Sequence, residues 1–268
     1  MNINRDENTI RSYVAICQTF LEGVVRLVDS QVAFMTVMNG FTGYRERIAK
    51  TEPEDGPYAD ILRPFEEVSL KQFWSAQYVH TISNLIYAAS LFDTFLNEST
   101  IFLLLLIPEA IGKAYQVPIR SLIDGQSRSS ILTEVAKQKA RDISFKSFKE
   151  RLGVLRDTFG IPIALTDDTI AALEHFSNLR NSAVHDQGFF ALSLEEAGSI
   201  KHDLRTSPTF PSNIIPEDSD KAEKMFRFVA LTVANDIFKG VLKADHGSLP
   251  SYLEAFMEKI LTSPPPAL

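Results

Sequence analysis

Between Ile10 and Met38, apolar residues recur at Ile10, Tyr13, Val14, Cys17, Phe20, Leu21, Val24, Val28, Val32 and Met35. This is the spacing of one face of a long amphipathic helix. Asn39-Gly40 and Gly43 supply its stop signals, and Thr51 to Pro57 reads as a polar loop. A second apolar-periodic stretch runs from about Glu66 to Ile107 and ends at Pro108. Its polar interruptions predict a break near Ser83-Asn84 or Asn97-Glu98-Ser99. After a loop from Gln116 to Ser130, a helix is expected over Ile131 to Arg141. Another spans Phe148 to Phe159, opened by the capping-box pattern Ser147 to Glu150 and closed by Gly160 ahead of Pro162. Thr166-Asp167-Asp168 starts a further helix whose inward face carries Ile170, Leu173 and Phe176, with Gly188 beyond its end. The turn-rich run Ser207 to Pro211, with Pro216, leads to helices over Asp220 to Leu242 and Leu249 to Leu261.

These elements predict an all-α protein. Three parts are expected: a long N-terminal helix with its loop (1–65), a helical bundle (66–245), and a short helix with a Pro-rich tail (246–268). The first helix, with its broad apolar face, is expected to cap the bundle and to contribute to a dimer. At 268 residues and 45% hydrophobic content, the chain can bury a sizeable core. Its single cysteine, Cys17, lies on the apolar stripe and allows no intramolecular disulfide, which suits a reducing compartment. Met1 to Asp6 is polar and lacks a secretory pattern, so a soluble cytoplasmic protein is expected. Asp93, Asn97 and Glu98 interrupt the apolar run Leu85 to Ile107. That stretch reads as a core helix rather than a membrane span, which needs roughly 20 unbroken apolar residues.

The net charge of −7 argues against indiscriminate nucleic-acid binding over the whole surface. Locally the balance reverses, because Lys137, Lys139, Arg141, Lys146, Lys149, Arg151 and Arg156 face only Asp142 and Glu150. That stretch offers a path for a phosphate backbone, against the plainer alternative of a solvated helix face. No phosphate-cradling glycine loop, nucleophile elbow or dinucleotide fingerprint occurs, and no cofactor is expected. His80, His175, His202 and His246 lack partners at metal-ligand spacing and read as structural or surface histidines. Asp167-Asp168 and the acidic run Glu217 to Asp220 read as helix-start charge.

The segment Leu179-Arg180-Asn181-Ser182-Ala183-Val184-His185 is where chemistry concentrates. An imidazole can move a proton and a guanidinium can hold a crowded phosphate, the two needs of RNA cleavage. With 14 arginines and 5 histidines in 268 positions, this spacing arises by chance about 0.3 times, so spacing alone identifies nothing. Context adds to it: the pair lies near a helix end. Asn181 and His185, four apart, share a face, and Arg180 and His185 are offset by roughly 140° and so flank a groove.

Together with Ser147 to Leu152, Phe159-Gly160-Ile161 and the helix carrying Asp93 (Ala89 to Leu96), this segment resembles the HEPN superfamily, whose members carry Arg, four to six residues beginning with a polar one, then His. The resemblance covers roughly Phe73 to Leu242. It implies a helical bundle of the HEPN type that dimerises so that two motifs face each other, acting as a metal-independent endoribonuclease. Such proteins serve as toxins or phage-defence effectors, restrained by an antitoxin or other regulatory protein. On that reading Arg180 and His185 are catalytic, Asn181 positions the imidazole or the phosphate, and Asp93 orients His185 or Arg180. Lys146, Lys149, Arg151 and Arg156 contact RNA. The alternative is a non-catalytic helical module that binds RNA or a protein partner.

Overall fold

The computed structural model describes residues 7–51, 59–112, 127–163, 165–185, 216–244 and 249–262, and within these there is no strand. The described elements are α1 (Glu7–Thr51), α2 (Ala59–Leu106), a 3-10 turn (Pro108–Ile111), α3 (Arg128–Ser144), α4 (Phe148–Phe159), α5 (Asp167–His185), α6 (Pro216–Asp236), a π-helical turn (Ile237–Leu242) and α7 (Ser251–Leu261). The fold is all-α. The expected loops at residues 52–57 and 207–211, most of that at 116–130, and the stops at Gly188 and in the Pro-rich tail lie outside the described residues.

Two helices run further than their sequence signals predict. α1 continues through Asn39, Gly40 and Gly43 to Thr51, although each interior glycine costs about 1 kcal/mol relative to alanine. Helix propagation adds a hydrogen bond per residue, so isolated unfavourable residues do not stop a helix that is already nucleated. α2 is likewise unbroken from Ala59 to Leu106, with no interruption at Ser83-Asn84 or Asn97-Glu98-Ser99. Its polar residues are satisfied within the helix or across it. Thr81, Ser90 and Thr100 donate to carbonyls one turn back at 2.7 to 2.9 Å. Ser99, fully buried, shares a hydrogen bond with the Tyr13 hydroxyl of α1 at 3.3 Å. A domain boundary at residue 65 therefore falls inside one continuous helix. α1 is no separate extension either, because Tyr13, Cys17, Phe20, Val24 and Leu27 belong to the same buried cluster as the bundle. Val25, Val32 and Met35 remain exposed on α1, so the cap it forms leaves apolar surface uncovered.

α2 is the central element and packs against α1, α3, α5 and α6, while α6 also packs on α5 and α7. The segment Ala76–Leu106 is long and apolar enough to cross a membrane by length and composition, and in this fold its apolar residues pack at the centre of the bundle. Around Phe92 a group of rings joins four helices. Phe92 of α2 meets Phe148 of α4 at 5.0 Å and Phe226 of α6 at 5.3 Å, and Phe226 meets Phe176 of α5 at 6.4 Å. Phe92, Phe176 and Phe226, fully buried, each contribute roughly 2–3 kcal/mol through area removed from water, and the partly buried Phe148 less.

The shorter helices follow their local signals. Ser147 accepts from the Glu150 amide at 3.3 Å, and Glu150 accepts from the Ser147 amide at 2.9 Å, which makes the predicted capping box. Gly160 closes α4 in the left-handed region at φ 67°, which only glycine adopts without strain. α3 begins at Arg128, earlier than expected, because Ser127 caps it by accepting from the Ser130 amide at 3.1 Å. The last expected long helix ends differently, its final turn widening to the buried π segment Ile237–Leu242.

Candidate functional site

α5 starts at a Thr166 side chain that accepts from the Thr169 amide at 3.2 Å, with Asp167 and Asp168 in its first turn. Its inward stripe is Leu173, Phe176 and Ala183, all buried. Arg180 falls on the same stripe, seven residues after Leu173, where the pattern calls for an apolar residue. It is half-buried, so its aliphatic stem lies along the core edge and its guanidinium reaches the rim. There Arg180 Nη1 donates to Asn181 Oδ1 at 3.0 Å, and no described carboxylate pairs with it. Asn181 is exposed, and in this arrangement it holds the guanidinium. His185 is the last residue of α5; the helical register puts it on the Asn181 face, and its side chain lies outside the described residues. Val184, beside it, is exposed.

Asp93 takes a different position from the one anticipated. Arg151 donates through Nη1 to Asp93 Oδ1 and through Nη2 to the Asp93 carbonyl at 3.1 Å, tying α4 to α2. Only 3% of the Arg151 side chain is exposed, against 50% of Asp93. The guanidinium also sits over the Phe148 ring, 5.6 Å from its centre, and its Nε has no hydrogen-bond partner among the described residues. Arg151 is thus removed from the RNA-contacting set, since a buried cation committed to a carboxylate is not offered to a phosphate in solution. Among the described residues Arg151 is the partner of the Asp93 carboxylate, and Arg180 bonds Asn181 rather than Asp93; the expected contact with His185 falls on a side chain outside the described residues.

The remaining predicted contacts stay at the surface. Lys146, Lys149 and Arg156 are exposed, and Arg156 pairs with the neighbouring Asp157 at 2.8 Å. Hydrogen bonds from Ser147 hold the Glu150 carboxyl below its usual range, with Lys146 adding a smaller pull. Lys139 turns inward, donating from Nζ to the Ala110 and Ile111 carbonyls at 2.6 and 2.7 Å, and burial lowers its pKa. His80 is structural, as expected. It stacks on Phe34 at 3.9 Å and accepts from Asn84 at 2.8 Å, and burial lowers its pKa.

Two features escaped the sequence. One is a pair on α6, where Nε of the partly exposed Arg227 lies 3.4 Å from Oε1 of the buried Glu223; burial raises the Glu223 pKa against the pull of Arg227. The other is a small pocket between Lys149 and Arg156, legible only as an i, i+3, i+4, i+7 set along α4. Among the described residues no three His, Cys, Asp or Glu side chains converge as metal ligands.

No protein-family model, no curated protein and no solved structure matches the chain.

Proposed function

We propose that this chain is a HEPN-type helical domain that cleaves RNA as a homodimer, with two α5 ends forming one composite site. The observation that carries this reading is Arg180: an arginine on a core stripe, oriented by Asn181, with no described carboxylate to neutralise it and a histidine five residues further on. A cation with no carboxylate partner among the described residues, on the same helix end as a histidine, is what a phosphodiester in transition needs.

In the proposed reaction the 2′-hydroxyl attacks the adjacent phosphorus, passing its proton to His185 of one subunit. The bond to the 5′-oxygen breaks, and the departing oxygen takes a proton from the second subunit's copy of the same histidine. Arg180 stabilises the charge on the pentacovalent phosphorus, and Asn181 fixes the guanidinium. Lys146, Lys149 and Arg156 hold the flanking backbone. Exposed Val184, with Val25, Val32 and Met35 of α1, supplies apolar surface for the second copy. A cytoplasmic toxin or phage-defence effector held by an antitoxin-like partner is the setting that accompanies this chemistry. The net charge of −7 favours the second reading, a non-catalytic module in which Arg180 serves only as a helix-end cation.

RNA incubated with the pure protein and a chelator separates the two. Cleavage to 2′,3′-cyclic phosphate ends, reduced at least about 100-fold by His185→Ala in a protein that stays dimeric, supports the enzyme. Cleavage that survives the substitution, or that the chelator abolishes, overturns the mechanism. Inertness of both proteins towards RNA assigns the module.

A further inference from the structure

α4 presents Lys149, Leu152, Gly153 and Arg156 along one face, and this face borders a pocket of about 120 Å³. Ile163 and Leu165 of the following segment and Ile170 of α5 complete an aliphatic floor. Gly153 is the informative member. Gly40 and Gly43 of α1 are helix-interior glycines too, so the reason for a glycine at Gly153 is sought in its place beside this floor. Backbone conformation gives none, since positive φ among the described glycines is confined to Gly112 and Gly160. Packing gives none either, because a Cβ added at Gly153 meets nothing within 4 Å. What its missing side chain leaves is open space above the floor.

The rim is cationic at both ends. Lys149 and Arg156 stand seven residues apart, about 10 Å along the helix axis. Lys149 has no ion pair among the described residues. Arg156 has only the exposed pair with Asp157, of a kind that contributes little and exchanges readily for a phosphate. A small, mainly apolar recess between two separated cations fits one unpaired nucleotide inside a strand: the base lies on the floor, and its 5′ and 3′ phosphates meet the two rim cations. Ile170 and Arg180 stand ten residues apart on α5, about 15 Å along its axis, within the span of roughly four nucleotides that the shortest single-strand sites cover.

We infer that the pocket over Gly153 binds one unpaired nucleotide of single-stranded RNA, with Lys149 and Arg156 on its two flanking phosphates. This deepens the RNA reading above and rests on it for the identity of the strand. The probes are adenosine 3′,5′-bisphosphate, adenosine 5′-monophosphate and a labelled RNA tetranucleotide, titrated into the full chain carrying His185→Ala so that nothing is cut. The bisphosphate should bind more tightly than the monophosphate. Gly153→Leu, whose Cβ meets nothing within 4 Å and whose side chain projects into the recess, should weaken bisphosphate and tetranucleotide binding at least about 10-fold while the thermal midpoint holds or rises. Lys149→Gln should weaken RNA binding and lower its salt slope by about one. Gly153→Leu protein that is folded and binds RNA as tightly as its parent overturns the pocket and leaves the nuclease reading standing. Should Gly153→Leu fail to fold, an unchanged affinity and salt slope in Lys149→Gln overturns it instead. Bisphosphate binding that Gly153→Leu abolishes, in a protein whose wild type never cuts RNA, sustains the pocket and overturns the nuclease.

Discussion

Asp93→Ala should destabilise the fold more than Arg151→Met does, although both remove the same ion pair. The asymmetry comes from exposure: 3% for the Arg151 side chain and 50% for Asp93. Two unit charges about 4 Å apart attract by about 4 kcal/mol at an effective dielectric of 20. Breaking fully buried pairs costs about 3–5 kcal/mol, and exposed pairs are worth about 0–1 kcal/mol. Asp93→Ala leaves a guanidinium inside the bundle with only the Asp93 carbonyl and the Phe148 ring for company, which places its cost at about 2–3 kcal/mol. Arg151→Met keeps the aliphatic volume, and the half-exposed carboxylate it abandons is solvated by water, so about 1 kcal/mol or less is expected. The double variant should resemble Arg151→Met, giving a coupling of about 2 kcal/mol in a double-mutant cycle read by urea unfolding at neutral pH. Asp93→Ala costing no more than Arg151→Met, or the two effects simply adding, would refute the argument. The same double variant tests the role first expected of Asp93. Where the wild type cleaves RNA, a folded Asp93→Ala/Arg151→Met protein should cleave it at a similar rate, and a loss of the size produced by His185→Ala would restore Asp93 to the catalytic set.

Besides the His185→Ala and Gly153→Leu experiments, two measurements probe the framework. Cys17 is buried, and burial pushes its thiol up to about 12, so a disulfide reagent at pH 8 should label it only at the rate of unfolding, and rapid labelling of native protein would contradict that packing. Burial raises the Glu223 carboxyl above its ordinary value, so the folded state holds this proton more tightly than the unfolded state does. The associated stability is present below about pH 4.5 and is lost as pH rises through the folded pKa. Glu223→Gln should therefore be more stable than wild type at pH 7, with the gain vanishing near pH 4 in parallel thermal melts; an equal or lower midpoint at pH 7 would show that Arg227 outweighs the burial.

Local signals in the sequence were sufficient where the deciding partners lie within a few residues. Ser147, Glu150 and Gly160 mark both ends of α4, and the apolar spacing Leu173, Phe176 marks the inward face of α5. Stop signals failed where a helix that is already nucleated propagates through them, as at Gly40 and Gly43, and where side chains satisfy themselves, as at Thr100. The candidate site divides in the same way. Arg180 and Asn181 are one residue apart and their contact is local, whereas the fate of Asp93 is decided by Arg151, 58 positions away. Counting cations in a segment also conceals their direction. Arg151 and Lys149 are two residues apart, which on a helix is about 200°, so one enters the core while the other faces the pocket.

That opposition on α4 gives the helix two linked duties. Its inner face is fixed to α2 by Arg151 on Asp93 and by the Phe148 ring against Phe92, and Phe148 also meets Phe226 at 5.9 Å. Phe226 in turn meets Phe176 of α5, a single helical turn from Arg180. The outer face of α4 and the far end of α5 are therefore anchored to one ring cluster, and close-packed cores of this kind do not deform continuously. A strand held at Lys149 and Arg156 would meet Arg180 at a constant offset, because both helices are anchored to the same packed rings. On this argument the ring cluster, which the Asp93→Ala/Arg151→Met variant retains, keeps the rim of the pocket and the guanidinium at the α5 end in register with each other.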